Sequence, residues 1–188
     1  MISRTIKVRE ISLLCLCAAF VITGCGDNSS KETTTVMDHK TVVAPDFSGD
    51  SAYAFISAQV DFGPRVPNTE EHDLCGEWLA SELERLGADV IVQTTRIRAF
   101  DGKLLELQNI IGQYNPKARS RVMLYAHWDT RPFADKDSLR PYEPIDGAND
   151  GASGVGVLLE IARQLNLKPA EIGVDIIFFD GEDYGPPF

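Results

Sequence analysis

Apolar residues are arranged in three ways along this chain, and each arrangement predicts a different kind of element. The first is an unbroken run, Ile11 to Ile22, of apolar or small residues. It is too short for the roughly 20 residues that a membrane-spanning helix needs. The second recurs at spacings of three and four. Tyr53, Phe55, Ile56 and Val60 predict a short first helix, stopped by Phe62-Gly63-Pro64. Leu74, Trp78, Leu79, Leu83 and Leu86 predict a second helix over about Thr69 to Leu86, closed by Gly87. Thr69 and His72 make no capping box, but Glu70, Glu71 and Asp73 put negative charge on the first turn, where it suits the helix dipole. Val155, Leu158, Leu159 and Ile161 mark a third helix between Gly154 and Leu165.

The third arrangement is extended. Val90 to Ile97, Leu105 to Tyr114 and Val122 to Ala126 read as strands, the first two joined as a hairpin through Asp101-Gly102. Gly173 to Phe179 is a further strand, and its continuous stretch Ile176 to Phe179 predicts burial on both faces. These elements imply an α/β fold, a mixed and mostly parallel sheet flanked by helices. No helix follows the last strand, so the fold is expected to be incomplete at the C-terminus, with residues 51–188 forming the N-terminal portion of one domain. There is no internal repeat.

Composition narrows the function. The chain is 44% hydrophobic and 24% charged, enough for one ordinary core. With 28 acidic against 18 basic side chains its formal charge is −10, the wrong sign for nucleic acid, whose binding depends on Lys and Arg contacts to phosphate. No nucleic-acid partner is expected.

The N-terminal run reads as an export signal. Arg4, Lys7 and Arg9 precede it, and it ends in Ile22-Thr23-Gly24-Cys25. That ending resembles the lipobox of bacterial lipoproteins. The resemblance implies a signal peptide over residues 1–24, cleavage before Cys25, and a lipid on the Cys25 sulfur that anchors the protein at a membrane of the bacterial cell envelope, on a periplasmic or outer-surface face. Residues 25–50 are expected to act as a flexible tether. Gly26 to Asp46 is rich in Ser, Thr, Asp and Lys without apolar period, and His39 lies there as a solvated residue. Once Cys15 and Cys17 leave with the signal and Cys25 is acylated, only Cys75 remains. It cannot form an intramolecular disulfide, and among Leu74, Trp78 and Leu79 it reads as buried packing.

Candidate chemistry lies in three segments just beyond element ends: Ala126-His127-Trp128-Asp129-Thr130, Asp146-Gly147-Ala148-Asn149-Asp150-Gly151-Ala152-Ser153-Gly154, and Phe179-Asp180-Gly181-Glu182-Asp183. Sites in open α/β sheets gather beyond the carboxyl ends of strands. Each residue has a plainer reading: His127 as a core histidine, Asp150 as a helix cap, Glu182 and Asp183 as a solvated turn. Adjacent carboxylates raise each other's pKa unless a cation offsets their charge. An imidazole and several carboxylates converging at strand ends are groups that bind Zn2+.

The three segments together resemble the co-catalytic zinc aminopeptidases and their relatives, the animal-type glutaminyl cyclases. Phe62-Gly63-Pro64-Arg65-Val66-Pro67 is similar to the start of the cyclase domain, and the resemblance runs from about Ser51 to Asp183. It implies Asp150 as a metal ligand, bridging when two zincs are bound, and Asp183 as a metal ligand where many relatives carry Glu. Glu182 is implied as the general acid/base. His127 is implied as a ligand only if a second zinc is bound, with Asp129 orienting it. One zinc is implied for a cyclase and two for an aminopeptidase.

The activity implied first is zinc-dependent glutaminyl-peptide cyclotransferase, converting N-terminal glutamine to pyroglutamate with release of ammonia. The alternative is a zinc aminopeptidase that removes N-terminal residues from peptides. A third reading is an inactive, lipid-anchored binding module. Peptide or protein N-termini are the expected substrates, and a monomer is the expected state. Further ligands of the family lie downstream of Phe188, so these 188 residues alone are expected to be inactive and to bind zinc poorly.

Overall fold

The computed structural model describes residues 43–186, so the signal, Cys25, His39 and most of the tether lie outside the described residues. Residues 43–48 carry no helix or strand. Helix α1, Gly49–Val60, begins two residues ahead of Ser51, because the Ser48 side chain accepts the N–H of Ser51 at 3.1 Å and satisfies an otherwise unpaired donor. Helix α2, Glu70–Arg85, is capped in the same way by Thr69, whose Oγ1 accepts the N–H of His72 at 3.3 Å. The cap needs no reciprocal Glu. At the far end of α2, Gly87 takes φ 87°, and the N–H groups of Gly87 and Ala88 return to the carbonyls of Glu84 and Leu83.

The strands are β1 (Asp89–Arg98), β2 (Leu104–Tyr114), β3 (Arg121–His127) and β4 (Gly173–Phe179), with helix α3 (Ala152–Leu167) between the last two. They form one sheet in the order β1-β2-β4-β3, which leaves β3 at an edge. The sheet is mixed and flanked by helices, as expected, but among the described strands parallel pairing is confined to β3 and β4. The pairs β1–β2 and β2–β4 are antiparallel. Connection length explains the difference. The turn between Arg98 and Leu104 can only reverse the chain, whereas α3 provides the crossover that a parallel neighbour requires.

Helices α2 and α3 pack on the sheet face that carries Ile110, Tyr114, Val174, Ile176 and Phe178, all buried against Leu79, Leu83, Val155 and Leu159. Ile110, Ile176 and Phe178 are fully excluded from solvent, each stabilising the fold by about 1.5–3 kcal/mol. Helix α1 lies on α3 rather than on the sheet. The two helices meet at Gly156, where a Cβ would fall 2.6 Å from Ile56 Cγ1.

Burial of β4 on both faces is not observed within the described residues. In register across the opposite face run Ile91, Ile111, Ile177 and Tyr125. Tyr125 is 67% exposed, and Phe179 and Met123 on the same face are also open. The apolar run of β4 is therefore covered on the Val174, Ile176 and Phe178 side alone. Among the described residues no helix is long and apolar enough to cross a membrane.

Candidate metal centre

The parallel pair β3–β4 ends with His127 opposite Phe179, and the chain leaves both strands at the same end of the sheet. The N–H of Trp128 donates to the Phe179 carbonyl at 3.0 Å, extending the pairing one residue into both loops. His127-Trp128-Asp129 and Asp180-Gly181-Glu182-Asp183 therefore start side by side. The third segment arrives from the N-terminus of α3. Gly151 sits there at φ 95° as the cap residue, with no side-chain cap bond, so Asp150 is free of the capping role.

His127 stands at the meeting point. Its Nε2 is 3.0 Å from Asp150 Oδ1 and 3.8 Å from Glu182 Oε2, and its Nδ1 is 3.5 Å from Asp129 Oδ1. The Asp129 carboxylate beside the ring raises the His127 pKa to about 9 against the opposing effect of burial, with Glu182 and Asp150 adding to the rise. Asp129 is fully buried, and its stronger bonds go elsewhere. Its two oxygens accept the backbone N–H groups of Glu182 at 3.2 Å and Asp183 at 3.0 Å. Holding His127 is thus the longer of its contacts. Fixing the Glu182–Asp183 backbone is the shorter, and the residue pattern gave no sign of it.

Asp183 points inward while Glu182 points out. The Asp183 side chain is 10% exposed, its Oδ1 lies 3.6 Å from Arg131 Nη1, and its buried Oδ2 has no hydrogen-bond partner among the described residues. Burial raises its pKa, and the charges of Asp150 and Asp129 raise it further. A buried carboxylate oxygen without a donor, under the negative charge of neighbouring carboxylates, is an arrangement that a divalent cation stabilises. Asp150 and Glu182 are each 66% exposed at the side chain. Beside them a cavity of about 410 Å3 is lined in part by Arg131, Phe133, Ile145, Asp150 and Asp183. Among the described residues no group of three or more His, Cys, Asp and Glu side chains is already arranged as a metal cage. The donor types that meet here, carboxylate oxygens and an imidazole nitrogen, are ones that suit zinc.

Residues 109–186 match the family described as Peptidase family M28. Among curated proteins the chain is 30% identical, over 125 residues, to the glutaminyl-peptide cyclotransferase of Drosophila melanogaster, a match covering 64% of this chain and 33% of the fly protein. Among solved structures it is 56% identical to Tannerella forsythia glutaminyl cyclase, with a TM-score of 0.75 over 76% of this chain and 50% of that one. It is 57% identical to a leucine aminopeptidase precursor from Bacteroides thetaiotaomicron, with a TM-score of 0.76 over 78% of this chain and 51% of that one. The chain spans about a third of the fly protein and half of the solved relatives.

The segment that matches this family model carries His127, Asp129, Asp150, Glu182 and Asp183, and all five meet at one end of the sheet. Two supports that the sequence reading did not single out lie beneath them. Asp180 is fully buried at the side chain, and His72 Nε2 contacts its two oxygens at 3.0 and 2.9 Å. Its Oδ2 also accepts the N–H of Gln108 at 2.7 Å, and its own N–H donates to Asn109 Oδ1. Burial raises the Asp180 pKa, and the His72 contact works against that rise. The His72 ring stacks on Trp128 at 4.4 Å, so one buried pair braces both strand-end loops of the candidate site. Helical spacing offered the available signal: His72 falls in line with Cys75, Leu79 and Leu83 on the buried stripe of α2. Cys75 is fully buried, and burial lifts its thiol to about 12, which fits packing.

Proposed function

We propose that this chain contributes Asp150, Asp183 and Glu182 to the active site of a zinc-dependent glutaminyl-peptide cyclotransferase. The observation that carries the reading is the convergence of these three carboxylates from two loops around His127. Likeness to the Tannerella forsythia cyclase at 56% identity supports the choice of reaction. Asp150 and Asp183 would hold the zinc, with further ligands from outside the described residues. Zinc supplies a Lewis acid for the γ-amide carbonyl of an N-terminal glutamine.

The protein's own contribution is proton management. Glu182 has a backbone fixed by Asp129 and a side chain open to solvent. At 3.8 Å its Oε2 is too far from His127 Nε2 for a hydrogen bond, so its lone pairs stay available. Glu182 takes a proton from the α-amine, the amine nitrogen bonds to the side-chain amide carbon Cδ, and the Cδ–Nε2 bond breaks. The proton held on Glu182 then passes to the departing ammonia.

The test uses the complete protein and a glutamine-initiated peptide. Ammonia release without free amino acid is the expected result, with one zinc per chain and with Glu182→Gln abolishing turnover while zinc stays bound. The second reading is an aminopeptidase, favoured by the leucine aminopeptidase precursor among the solved relatives. Release of free N-terminal residues with two zincs per chain would replace the first reading by this one, and retained activity in Glu182→Gln would remove Glu182 from either.

Anchoring through a lipid on Cys25 at the bacterial cell envelope belongs to the same proposal, supported by Ile22-Thr23-Gly24-Cys25 after an apolar run. Cys25→Ala should move the protein from the membrane fraction to the soluble one, and unchanged partitioning would remove the anchor.

A further inference from the structure

Arg65 lies in the loop between α1 and α2 and is fully buried, yet among the described residues it forms no ion pair. Its fork donates only to backbone carbonyls: Nε to Trp128 at 3.4 Å, Nη1 to Gly63 at 3.2 Å and to Asp146 at 2.5 Å, and Nη2 to Gly147 at 3.1 Å. Its own carbonyl accepts the N–H of Thr130 at 3.1 Å. The cost of burying a guanidinium is offset here by these four hydrogen bonds and by the negative charges of Asp146 and Asp129 nearby.

Three of these carbonyls, those of Trp128, Asp146 and Gly147, belong to two loops that carry site residues. Trp128 lies between His127 and Asp129. Asp146 and Gly147 open the segment that ends in Asp150, and the Gly147 carbonyl also accepts the N–H of Ala152 at the start of α3. Gly147 takes φ 59°, and a Cβ there would meet Thr130 Cγ2, the Asp150 carbonyl and Arg65 Nη2 at 2.4, 2.8 and 3.1 Å. The loops are thus packed against each other across the guanidinium. A planar fork with donors in fixed directions can hold several carbonyls at set separations, whereas a lysine ammonium offers a single point.

We propose that Arg65 is a positioning residue that sets the placement of Asp150 relative to the His127–Asp129 loop, and through it the metal affinity and geometry of the centre. This rests on the zinc reading above. In the complete protein, Arg65→Lys keeps the charge without the fork, and Arg65→Gln keeps two donors without the charge. Each is expected to lower zinc affinity, measured by chelator competition, by about 10–100-fold. Each should also shift the visible absorption bands of the cobalt-substituted protein and lower kcat more than it raises KM. Lys or Gln variants that fold with unchanged affinity and unchanged cobalt bands would overturn the proposal. So would variants that fail to fold, which would assign Arg65 to holding the domain together. An unmutated protein that takes up no zinc and has no turnover defeats the functional reading instead, so the two failures are distinguishable.

Discussion

His127 has three carboxylates within 3.8 Å, and Gly151 makes that crowding possible. A Cβ at Gly151 would lie 2.9 Å from the Asp129 carbonyl and 3.4 Å from His127 Cε1, and the residue sits at φ 95°, which side chains with a Cβ rarely adopt. Gly151→Ala should therefore cost about 1–3 kcal/mol of stability. It should also displace Asp150 from His127. Urea unfolding read beside zinc titration checks both effects, and an unchanged urea midpoint would show that the loop relaxes without strain. At this scale the sequence was legible where chemistry and spacing coincide: His127, Asp129, Asp150, Glu182 and Asp183 stand out as polar residues at element ends. Asp180, Arg65 and His72 did not. Their roles depend on distant carbonyls and amides, such as Gln108 N–H for Asp180 and Trp128 O for Arg65, which no local pattern reports.

Helix α3 links the site to the rest of the domain, and its own attachment depends on a buried acid. Glu160 has no side-chain exposure. It receives Arg163 Nε at 2.6 Å, Gln164 Nε2 at 2.7 Å and the N–H of Ser48 at 3.0 Å, the last of these tying the start of α1 to α3. The Arg163 hydrogen bonds lower its pKa from 4.5 to about 2, against the effect of burial. Because the folded value lies below the unfolded one, the stabilisation is complete above pH 4.5 and is lost as pH falls toward 2. Glu160→Gln should flatten that part of the stability profile, measured by urea midpoints between neutral pH and pH 2. An acid limb as steep as that of the unmutated chain would place the responsible carboxylate elsewhere. Periodicity located α2, α3 and all four strands to within about two residues at each end, within the usual uncertainty of element limits. For α1 it supplied only the apolar positions Tyr53 to Val60, and the helix starts ahead of them at the Ser48 cap.

Across the whole molecule, one face of the sheet is packed, and the other presents exposed Ile91, Tyr125 and Phe179 around half-buried Ile111 and Ile177 within the described residues. A contiguous apolar surface of this kind binds dyes and other apolar surfaces. The 188-residue chain should enhance the fluorescence of an apolar dye several-fold, and Tyr125→Lys should reduce that signal. A chain with no more dye response than a fully packed protein of its size would mean that this face is covered. The sequence implied that β4 wants cover on both sides, but it could not say which neighbours supply it, because the same apolar run suits either pairing direction. The edge position of β3 has a consequence of its own. Its outer backbone groups run directly into His127, so a strand aligned alongside it in the same direction would carry its carboxyl end to the rim where Asp150 and Glu182 stand. Growth of the sheet at that edge would then reach the site directly, because the last pairing of the new strand would lie beside His127.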